Sequence, residues 1–366
     1  MKKLPLVSVI IPAYNTSEYI AGMLQDVFNQ TYKNIEIIVV DDGSTDNTIE
    51  IITEFNRMGG EGVRIVSLEH AGVSAARNAG LALAQGEKVF FWDSDDSMEP
   101  DTIEQCLAFC EKHSVNSVLY GYANRINGIK GTPHPHELKQ LYRGREIVTE
   151  LMPHFLGHSF TDVNEWIKGK RGLRQGKENT ALWHIMLDAN TIKNNNLHFD
   201  TNLSLGEDTR FVNEYMLHET SIGFLDKCLY YLTIRETGAN LSSLKDVRKR
   251  LNDKLKLIKV RTEIDQKALR LYGINTHSYW EGTLILSTVE VCLRLAQNND
   301  ISLKEKHAML KAFMNNDAVK EACQTFKPEK GLKAIPFNII QRGQAKALFH
   351  LLSLLPKSLA NKITKQ

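Results

Sequence analysis

The sequence predicts an α/β protein with a mostly parallel sheet, flanking helices and a C-terminal α-helical region. Short β-branched runs alternate with helical patterns over residues 7–92, which is typical of successive βαβ units. Two of these runs end directly in acidic residues, and long amphipathic patterns fill the last third of the chain. We therefore expect right-handed crossovers over one sheet, followed by helices.

The first strand is predicted from Val7 to Ile11, where Pro12 closes it. Its nearly continuous β-branched composition fits a strand that is buried on both faces. The helix after it is predicted to take Thr16 or Ser17 as its N-cap. The next elements are predicted as strands over 35–40, 63–68 and 89–92, with a helix capped by Ser44 or Thr45 and a small-residue helix over 74–84.

The fourth strand ends in three acids within four positions, Asp93, Asp95 and Asp96. Ligands of open α/β sheets bind just beyond the carboxyl ends of the strands. Carboxylates this close repel one another, and an oxygen-bound Mg²⁺ or Mn²⁺ would relieve that repulsion. The alternative is a turn in which Asp96 or the serine after it caps the next helix. A calcium loop is disfavoured because Met98 stands where the sharp turn needs glycine.

The second strand also ends in acids, Asp41 and Asp42. The carboxyl ends of parallel strands meet at one edge of the sheet. A ligand that contacts both acidic strand ends would therefore have the length of a nucleotide rather than of a single ion.

Residues 120–180 show weak periodicity and many glycines, which predicts long binding loops with one helix over 145–156. Five cations lie in the segment 168–177, which is either a phosphate-binding loop or, more simply, a solvated flexible loop. His134 and His136 lack further ligands at a recognisable spacing, so no metal site is predicted there.

The pattern becomes regular again beyond residue 183. A helix is predicted over 183–192, and Glu207 and Asp208 fall at a helix start, where the macrodipole favours the ionised form. Residues 222–234 are predicted as a strand. Four long amphipathic helices are then predicted over 245–271, 280–296, 303–313 and 319–326.

Composition limits the classes of function. With 45 Lys+Arg against 43 Asp+Glu, the net charge of +2 gives no general attraction to nucleic acid. No apolar segment approaches the ~20 residues that span a bilayer, which predicts a soluble or peripheral protein, and we expect it to be cytoplasmic. Residues 331–366 form a basic, amphipathic tail, either a packed C-terminal helix or a peripheral contact with the inner face of the cell membrane.

Five segments of the chain together resemble the family 2 glycosyltransferases, GT-A fold enzymes that use nucleotide sugars. The resemblance runs from about Pro5 to about Arg235. The segments that carry it are Val7–Asn15, Val39–Asp46, Gly72–Gly80, Phe91–Asp96 and Gly206–Asp208. Their order and spacing make the resemblance specific, and the helical last third lies outside it.

The resemblance implies a nucleotide-sugar donor site at the strand ends. Pro12 and Tyr14 would line the base pocket, Asp42 would accept a hydrogen bond from a uracil-type base, and Arg77 would reach the base or the diphosphate. Asp93 would contact the ribose. The implied donor-binding residues are Pro12, Tyr14, Asn15, Asp41, Asp42, Arg77, Asp93 and Ser94.

The same resemblance implies the metal site and the base. Asp95 would bind Mn²⁺ or Mg²⁺, and Asp208 would accept the proton from the attacking hydroxyl. The family's Trp-Asn-Lys is replaced by Trp-His-Ile from Trp183, and its last arginine motif is altered after Arg235. The acceptor-side residues are therefore the less secure set Trp183, Glu207 and Arg235.

The function expected from the resemblance is inverting transfer of a sugar, from a UDP-sugar in particular, to a hydroxyl of a glycan or lipid-linked acceptor in surface polysaccharide synthesis. A sugar nucleotidyltransferase would need a glycine-rich loop after the first strand, which Pro12–Asn15 is not. A non-catalytic nucleotide-sugar-binding protein would be expected to lack Asp95 or Asp208. The predicted domains are 1–240 (catalytic), 241–330 (helical) and 331–366 (tail).

Overall fold

The computed structural model describes residues 4–59, 62–203, 205–234 and 246–354. These residues form two compact units. The first comprises 4–152 with 178–234 and contains the sheet, and the second comprises 153–177 with 246–354 and is helical. The predicted boundary at residue 240 falls outside the described residues, and the segment 153–177 groups with the helical unit.

Four parallel strands form one half of the sheet. β1 (Val7–Ala13) lies between β2 (Ile35–Asp41) and β4 (Lys88–Phe91), and β3 (Val63–Ser67) pairs with β2. This gives the order β3-β2-β1-β4, with the carboxyl ends of all four strands at one edge. The predicted α/β architecture is thus confirmed.

The first strand runs through Pro12 to Ala13 rather than ending at Pro12. The carbonyl of Ile10 faces β4, since it accepts from the backbone N–H of Trp92 at 3.1 Å. Pro12, two residues on, faces the same side, where the pairing with β4 has ended. The missing N–H of Pro12 therefore costs the sheet no hydrogen bond.

The other half of the sheet is mixed, so the description as mostly parallel holds only for β1 to β4. β9 is antiparallel to β4 and to β6, whereas β10 runs parallel to β6. The further strands are β5 (Ser97–Met98), β6 (Ser117–Ile126), β7 (Ile129–Pro133), β8 (Leu141–Arg143), β9 (Ile185–Asp188) and β10 (Ser221–Thr233).

Residues 120–180 contain more regular structure than predicted. β6 and β7 form a hairpin across Asn127 and Gly128, whose φ angles are +49° and +79°. Asn-Gly between apolar strands is typical of this turn, so the sequence did carry the signal. The helix predicted over 183–192 is also wrong in its first half, because Ile185–Asp188 is a strand between β4 and β6.

The helices flank the sheet and then build the second unit. The described helices are α1 (Ile20–Phe28), α2 (Thr48–Arg57), α3 (Val73–Leu83), α4 (Thr102–His113), α5 (Met152–Leu156), α6 (Phe160–Ile167), α7 (Ala189–Asn194), α8 (Glu207–His218), α9 (Val247–Tyr272), α10 (Glu281–Gln297), α11 (Leu303–Met314), α12 (Asp317–Thr325), α13 (Ile335–Gln341) and α14 (Ala345–Ser353). The helical C-terminal region is confirmed.

In the second unit α10 is the central helix, and it contacts α9, α11, α12 and α14. Ala345, Leu348 and Leu352 of α14 are buried, so the apolar stripe predicted for the tail packs inside this unit over α14. Its continuation beyond residue 354 lies outside the described residues. No helix within the described ranges is both long and apolar enough to cross a membrane.

Candidate functional site

The loops that follow β1 and β2 are tied together. The backbone N–H of Asn15 donates to Ser44 Oγ at 2.9 Å, and the N–H of Thr45 donates to Asn15 Oδ1 at 2.8 Å. Asn15 adopts a φ of +50°, which an asparagine tolerates well. The predicted caps are therefore wrong: these polar residues join two strand ends, and α1 and α2 begin later, at Ile20 and Thr48.

Asp42 links the ends of β2 and β3. Its two carboxylate oxygens accept hydrogen bonds from the backbone N–H groups of Ala71 and Gly72, each at 2.8 Å. His70 Nδ1 lies 2.9 Å from Asp42 Oδ2. Asp42 and the preceding Asp41 are both buried. The structure thus holds Asp42 rigidly at the sheet edge where a donor base was predicted to bind.

Tyr14 and His70 form an aromatic face beside Asp42. Their rings stack with centroids 4.2 Å apart at 21°. Tyr14 is 43% exposed and the His70 side chain 56% exposed, so the pair presents a flat, accessible surface at the strand ends. His70 was not predicted as a site residue. It follows the end of β3, where Glu69 is a single acid and no acidic cluster marks a ligand site in the sequence.

α3 lies close to the sheet because of its small residues. A Cβ on Gly80 would stand 2.4 Å from Cγ2 of Ile10. This close approach puts Arg77, one turn earlier on the helix, beneath the strand ends, where only 4% of it is exposed. The sequence predicted the close approach but not which side chain it would bury.

Arg77 joins acids from two distant parts of the chain. Its Nη1 donates to Asp208 Oδ1 at 2.6 Å, and its Nη2 donates to Asp93 Oδ1 at 3.2 Å. Glu207 Oε1 lies 3.7 Å from Nη1. Burial alone would lower the pKa of Arg77, but these three carboxylates raise it, so the guanidinium stays cationic.

Asp208 lies in the first turn of α8, as predicted. Burial raises the pKa of its carboxyl to about 7, with Glu207 and Asp93 adding to the rise and Arg77 opposing it. Burial thus favours the protonated form of Asp208, in the direction opposite to the effect expected of the helix start. Its side chain remains 22% exposed.

Of the three acids after β4, Asp93 and Asp96 have different bonding partners. Asp93 turns to Arg77, as above. Asp96 accepts from the Tyr230 hydroxyl at 2.8 Å and from the Thr233 N–H at 2.7 Å. Burial, together with Asp93 and Asp95, raises the pKa of Asp96 to about 8. The repulsion among the three carboxyl groups is thus largely relieved, because the Arg77 guanidinium pairs with Asp93 and the carboxyl of Asp96 is neutral.

Asp95 lines a cavity of about 430 Å³. Among the described residues, no cluster of three potential metal ligands within 4.8 Å of one another includes an acid of this segment. The expected turn in which Asp96 or Ser97 caps a helix is absent, since Ser97 belongs to β5 and α4 begins at Thr102. Asp96 lines the same cavity, but its carboxyl is bonded to Tyr230 and Thr233, so Asp95 stays the predicted metal ligand.

Two further predicted site residues, Ser94 and Trp183, are much less exposed than Tyr14. Ser94 is 4% and Trp183 3% exposed. Trp183 stacks on Tyr230 with centroids 4.9 Å apart at 5°, and the Tyr230 hydroxyl accepts a hydrogen bond from the backbone N–H of Asp93. Trp183 therefore packs behind Asp93 and does not face solvent. The neighbouring His184 is buried, which lowers its pKa to about 4. Arg235 lies outside the described residues.

The cationic segment 168–177 lies in the second unit. Lys168 pairs with Glu329 at 2.9 Å, and Lys177 pairs with Asp162 at 2.8 Å. Both partners belong to the same unit. Lys170 also lies 3.9 Å from Glu165 of this unit, so three of the five cations have acidic partners there, which favours a structural role for the segment over phosphate binding.

Residues 8–168 match the sequence model of glycosyl transferase family 2. Chondroitin synthase of Pasteurella multocida is 39% identical over 127 residues, which are 34% of this chain and 13% of that protein. Glycosyltransferase GlyA of Streptococcus pneumoniae serotype 4 is 33% identical over 237 residues, 63% of this chain and 31% of that protein. This chain therefore spans less than a third of the length of either relative.

The fold has a solved counterpart. S. aureus TarS in complex with UDP-GlcNAc superposes with a TM-score of 0.61 at 19% identity, over 98% of this chain and 92% of that chain. Fold, motifs and sequence similarity agree on the class: the N-terminal part of the chain, residues 8–168, is similar to glycosyl transferase family 2. The GT-A fold expected from the resemblance is confirmed.

Proposed function

We propose that this protein is an inverting glycosyltransferase that moves a sugar from a UDP-sugar to a hydroxyl of a glycan or lipid-linked acceptor in surface polysaccharide synthesis. The observation that carries the proposal is the bridge of Arg77 between Asp93, at the strand ends, and Asp208, on a distant helix. It supports the assignment of Asp208 as a base that acts beside the predicted donor site. We assign the activity to the predicted catalytic domain, residues 1–240.

The choice of acceptor takes support from the relatives. One is named for chondroitin synthesis, and another, 28% identical over 236 residues, is the minor teichoic acid biosynthesis protein GgaB of Bacillus subtilis. Both names concern polymers with sugar or polyol hydroxyls, so a glycan hydroxyl is the acceptor chemistry that we propose here.

On the donor side, Tyr14 and His70 offer a stacking surface for a planar base, and Asp42 stands beside them. We assign Asp93 to the ribose. Arg77 carries the positive charge that a diphosphate needs. Asp95, facing the cavity, fits Mn²⁺ or Mg²⁺, which keep few protein carboxylates and take further oxygens from phosphates and water. The ion would neutralise charge on the leaving phosphates.

On the acceptor side, inversion needs one base and no covalent intermediate. Asp208 is the candidate because its pKa of about 7 suits proton acceptance near neutral pH. The sugar nucleotidyltransferase alternative remains disfavoured, since the loop after β1 is bonded to the loop after β2 through Asn15 and is not glycine-rich. The non-catalytic alternative is disfavoured by the presence of Asp95 and Asp208.

We also propose that the C-terminal region contacts anionic lipid near a lipid-linked acceptor. Leu332, Ile335, Leu351 and Leu354 are exposed, although the face through Leu348 is buried. Eight basic residues against one acid lie between positions 327 and 366. Exposed apolar side chains among cations suit a peripheral contact with a lipid surface.

Metal-dependent hydrolysis of a panel of nucleotide sugars tests the donor assignment. UDP-sugars should be hydrolysed with Mn²⁺ or Mg²⁺, and both UDP affinity and turnover should collapse in EDTA. Asp95→Ala should reproduce the effect of the chelator, because Asp95 is the proposed ligand. Asp226→Ala, at an exposed position of β10, should behave as wild type. Full UDP affinity in EDTA would exclude the metal-bridged site.

A further inference from the structure

A second cluster of potential metal ligands lies apart from the acidic strand ends. His134 and His136 follow β7, and Glu178 precedes the 3₁₀ turn Leu182–His184. Within the described part of the chain, one ligand atom from each of these three side chains lies within 4.8 Å of the other two. The histidine pair gave no metal signal in the sequence because Glu178 is 42 positions away from His136.

Two side chains of the cluster are buried and incompletely hydrogen-bonded. The side chains of His136 and Glu178 are 4% and 0% exposed, and His136 Nδ1 lies 2.8 Å from Glu178 Oε2. His136 Nε2 and Glu178 Oε1 are buried without a hydrogen-bond partner. A simple ion pair between these two residues would leave both atoms without a hydrogen bond, which is unfavourable for buried polar atoms.

The donor set indicates which cation fits. Two imidazole nitrogens and one carboxylate oxygen suit Zn²⁺, which binds such ligands at about 2.0–2.2 Å with tetrahedral geometry. Tetrahedral ligand atoms at that distance are about 3.4 Å apart, so small movements would bring the three side chains into place. The oxygen-only chemistry expected at Asp95 suits Mn²⁺ or Mg²⁺ instead. The two sites should therefore select different metals.

We propose that His134, His136 and Glu178 bind one Zn²⁺, with a water molecule as fourth ligand. The ion would fasten the segment after β7 to the segment that leads into Trp183. It would also satisfy the two buried atoms that a His136–Glu178 pair leaves unbonded.

An aromatic stack connects this site to the strand ends. Tyr122 stacks on His134 at 4.9 Å and meets the ring of Trp183 edge-on at 4.7 Å. Trp183 stacks on Tyr230, whose hydroxyl accepts from the backbone N–H of Asp93. The proposed zinc would thus hold this aromatic stack in place, and through the Tyr230 hydroxyl the backbone of Asp93, without contacting a donor.

Metal analysis of the full chain tests the proposal. After chelation, reloading with Zn²⁺ and dialysis, wild type should retain about one zinc per chain. His136→Ala and Glu178→Gln should lose it. Two controls should keep it: Asp95→Asn, which removes the carboxylate proposed for the other metal site, and His198→Ala, which removes an exposed histidine.

Cobalt provides a readout that does not depend on the variants. Co²⁺-loaded wild type should show the intense visible absorption of a four-coordinate ion, and added Zn²⁺ should abolish it. Zn²⁺ should also raise the Tm of wild type but not that of Glu178→Gln. If wild type retains no zinc and shows no such absorption, the cluster is only a buried ion pair. Equal retention by His136→Ala, or loss in Asp95→Asn, would equally overturn the assignment.

Discussion

At the residue scale, burial and Arg77 act in opposite directions on Asp208: burial raises the pKa of its carboxyl and Arg77 lowers it. The Arg77 guanidinium contacts Asp208 at 2.6 Å and Asp93 at 3.2 Å, and a carboxylate held by arginine is a weak proton acceptor. The phosphates of a donor would compete for the same guanidinium. Donor binding would then weaken the hold on Asp208 and leave it freer to accept a proton from the acceptor hydroxyl.

Asp208→Asn should separate binding from chemistry. The amide oxygen can still accept from Arg77, so UDP affinity should stay within a few-fold of wild type. Turnover should fall by roughly 10²–10⁴, the usual worth of a positioned base. Titration with UDP and steady-state transfer assays measure the two quantities.

Glu207→Gln is the matched control for that change. Glu207 also faces Arg77, but at 3.7 Å, and we expect a much smaller loss of turnover. Near-normal transfer by Asp208→Asn, or a product that retains the donor's anomeric configuration, would contradict the assignment. Glu207 would then be the next candidate for the base.

The acids at the strand ends could be read from the sequence, whereas their partners could not. Asp93, Asp95 and Asp96 follow an apolar run, which is a local pattern. Their bonding depends on long-range contacts: Asp208 lies 131 positions from Arg77, and Tyr230 lies 134 positions from Asp96. No local periodicity predicts which carboxyl meets a guanidinium and which becomes neutral.

At the element scale, the approach of α3 to β1 places Arg77. Small residues in α3 predicted this contact, because only residues without large side chains allow a helix axis so near a strand. The Asn-Gly pair at 127–128 also indicates a hairpin, but the abundant glycines of the region favour an interpretation as loops. Strand β9 was not readable, because its buried apolar run also fits a helix.

Gly80→Ala should destabilise the first unit by about 1–3 kcal/mol, the usual cost of overpacking. The new methyl would meet Ile10 Cγ2 at 2.4 Å, and Ile10 is held in a central strand. Gly22→Ala in α1 is the control, because nothing lies within 4 Å of that position. It should stabilise the protein by up to ~1 kcal/mol. Denaturant unfolding decides, and equal effects of the two changes would contradict the close contact.

In the second unit, Glu290 of α10 is surrounded by three cations. Arg250 and Lys254 of α9 lie 2.7 Å away, and Arg294 lies 2.6 Å away. Burial alone would raise the pKa of Glu290, but these cations lower it to about 2. A lowered pKa in the folded state stabilises the fold above pH ~4.5. That contribution is lost as the pH falls towards 2.

Glu290→Gln should therefore lower the free energy of unfolding by about 1–3 kcal/mol at pH 7, after allowing for the 22% exposure of the side chain. The difference from wild type should shrink as the pH falls from 5 to 2.5. Denaturant titrations across that range measure it. Glu305→Gln, at an exposed pair with Arg248, should change nothing measurable. A difference that does not vary with pH would contradict the pairing.

At the scale of the whole molecule, the family match and the fold cover different parts of the chain. The match ends at residue 168, yet the TarS likeness spans 98% of the chain, including the helical unit. The helices of that unit could be predicted from their periodicity. Which of their faces would be buried could not, because α14 turns Leu348 and Leu352 inwards and leaves Leu351 and Leu354 exposed.

The lipid contact proposed for the C-terminal region includes the basic residues beyond position 354, so it is tested on the full chain. Residues 355–366 add three lysines, Lys357, Lys362 and Lys365. At about 1 kcal/mol per lysine near an anionic surface, deleting them should weaken binding to anionic vesicles by up to roughly a hundredfold. Flotation of the full chain and of residues 1–354 measures this difference. Neutral vesicles or high salt should release both, since the attraction is electrostatic. Equal flotation of the two chains, or recovery of both in the soluble fraction, would exclude a role for these lysines in lipid contact.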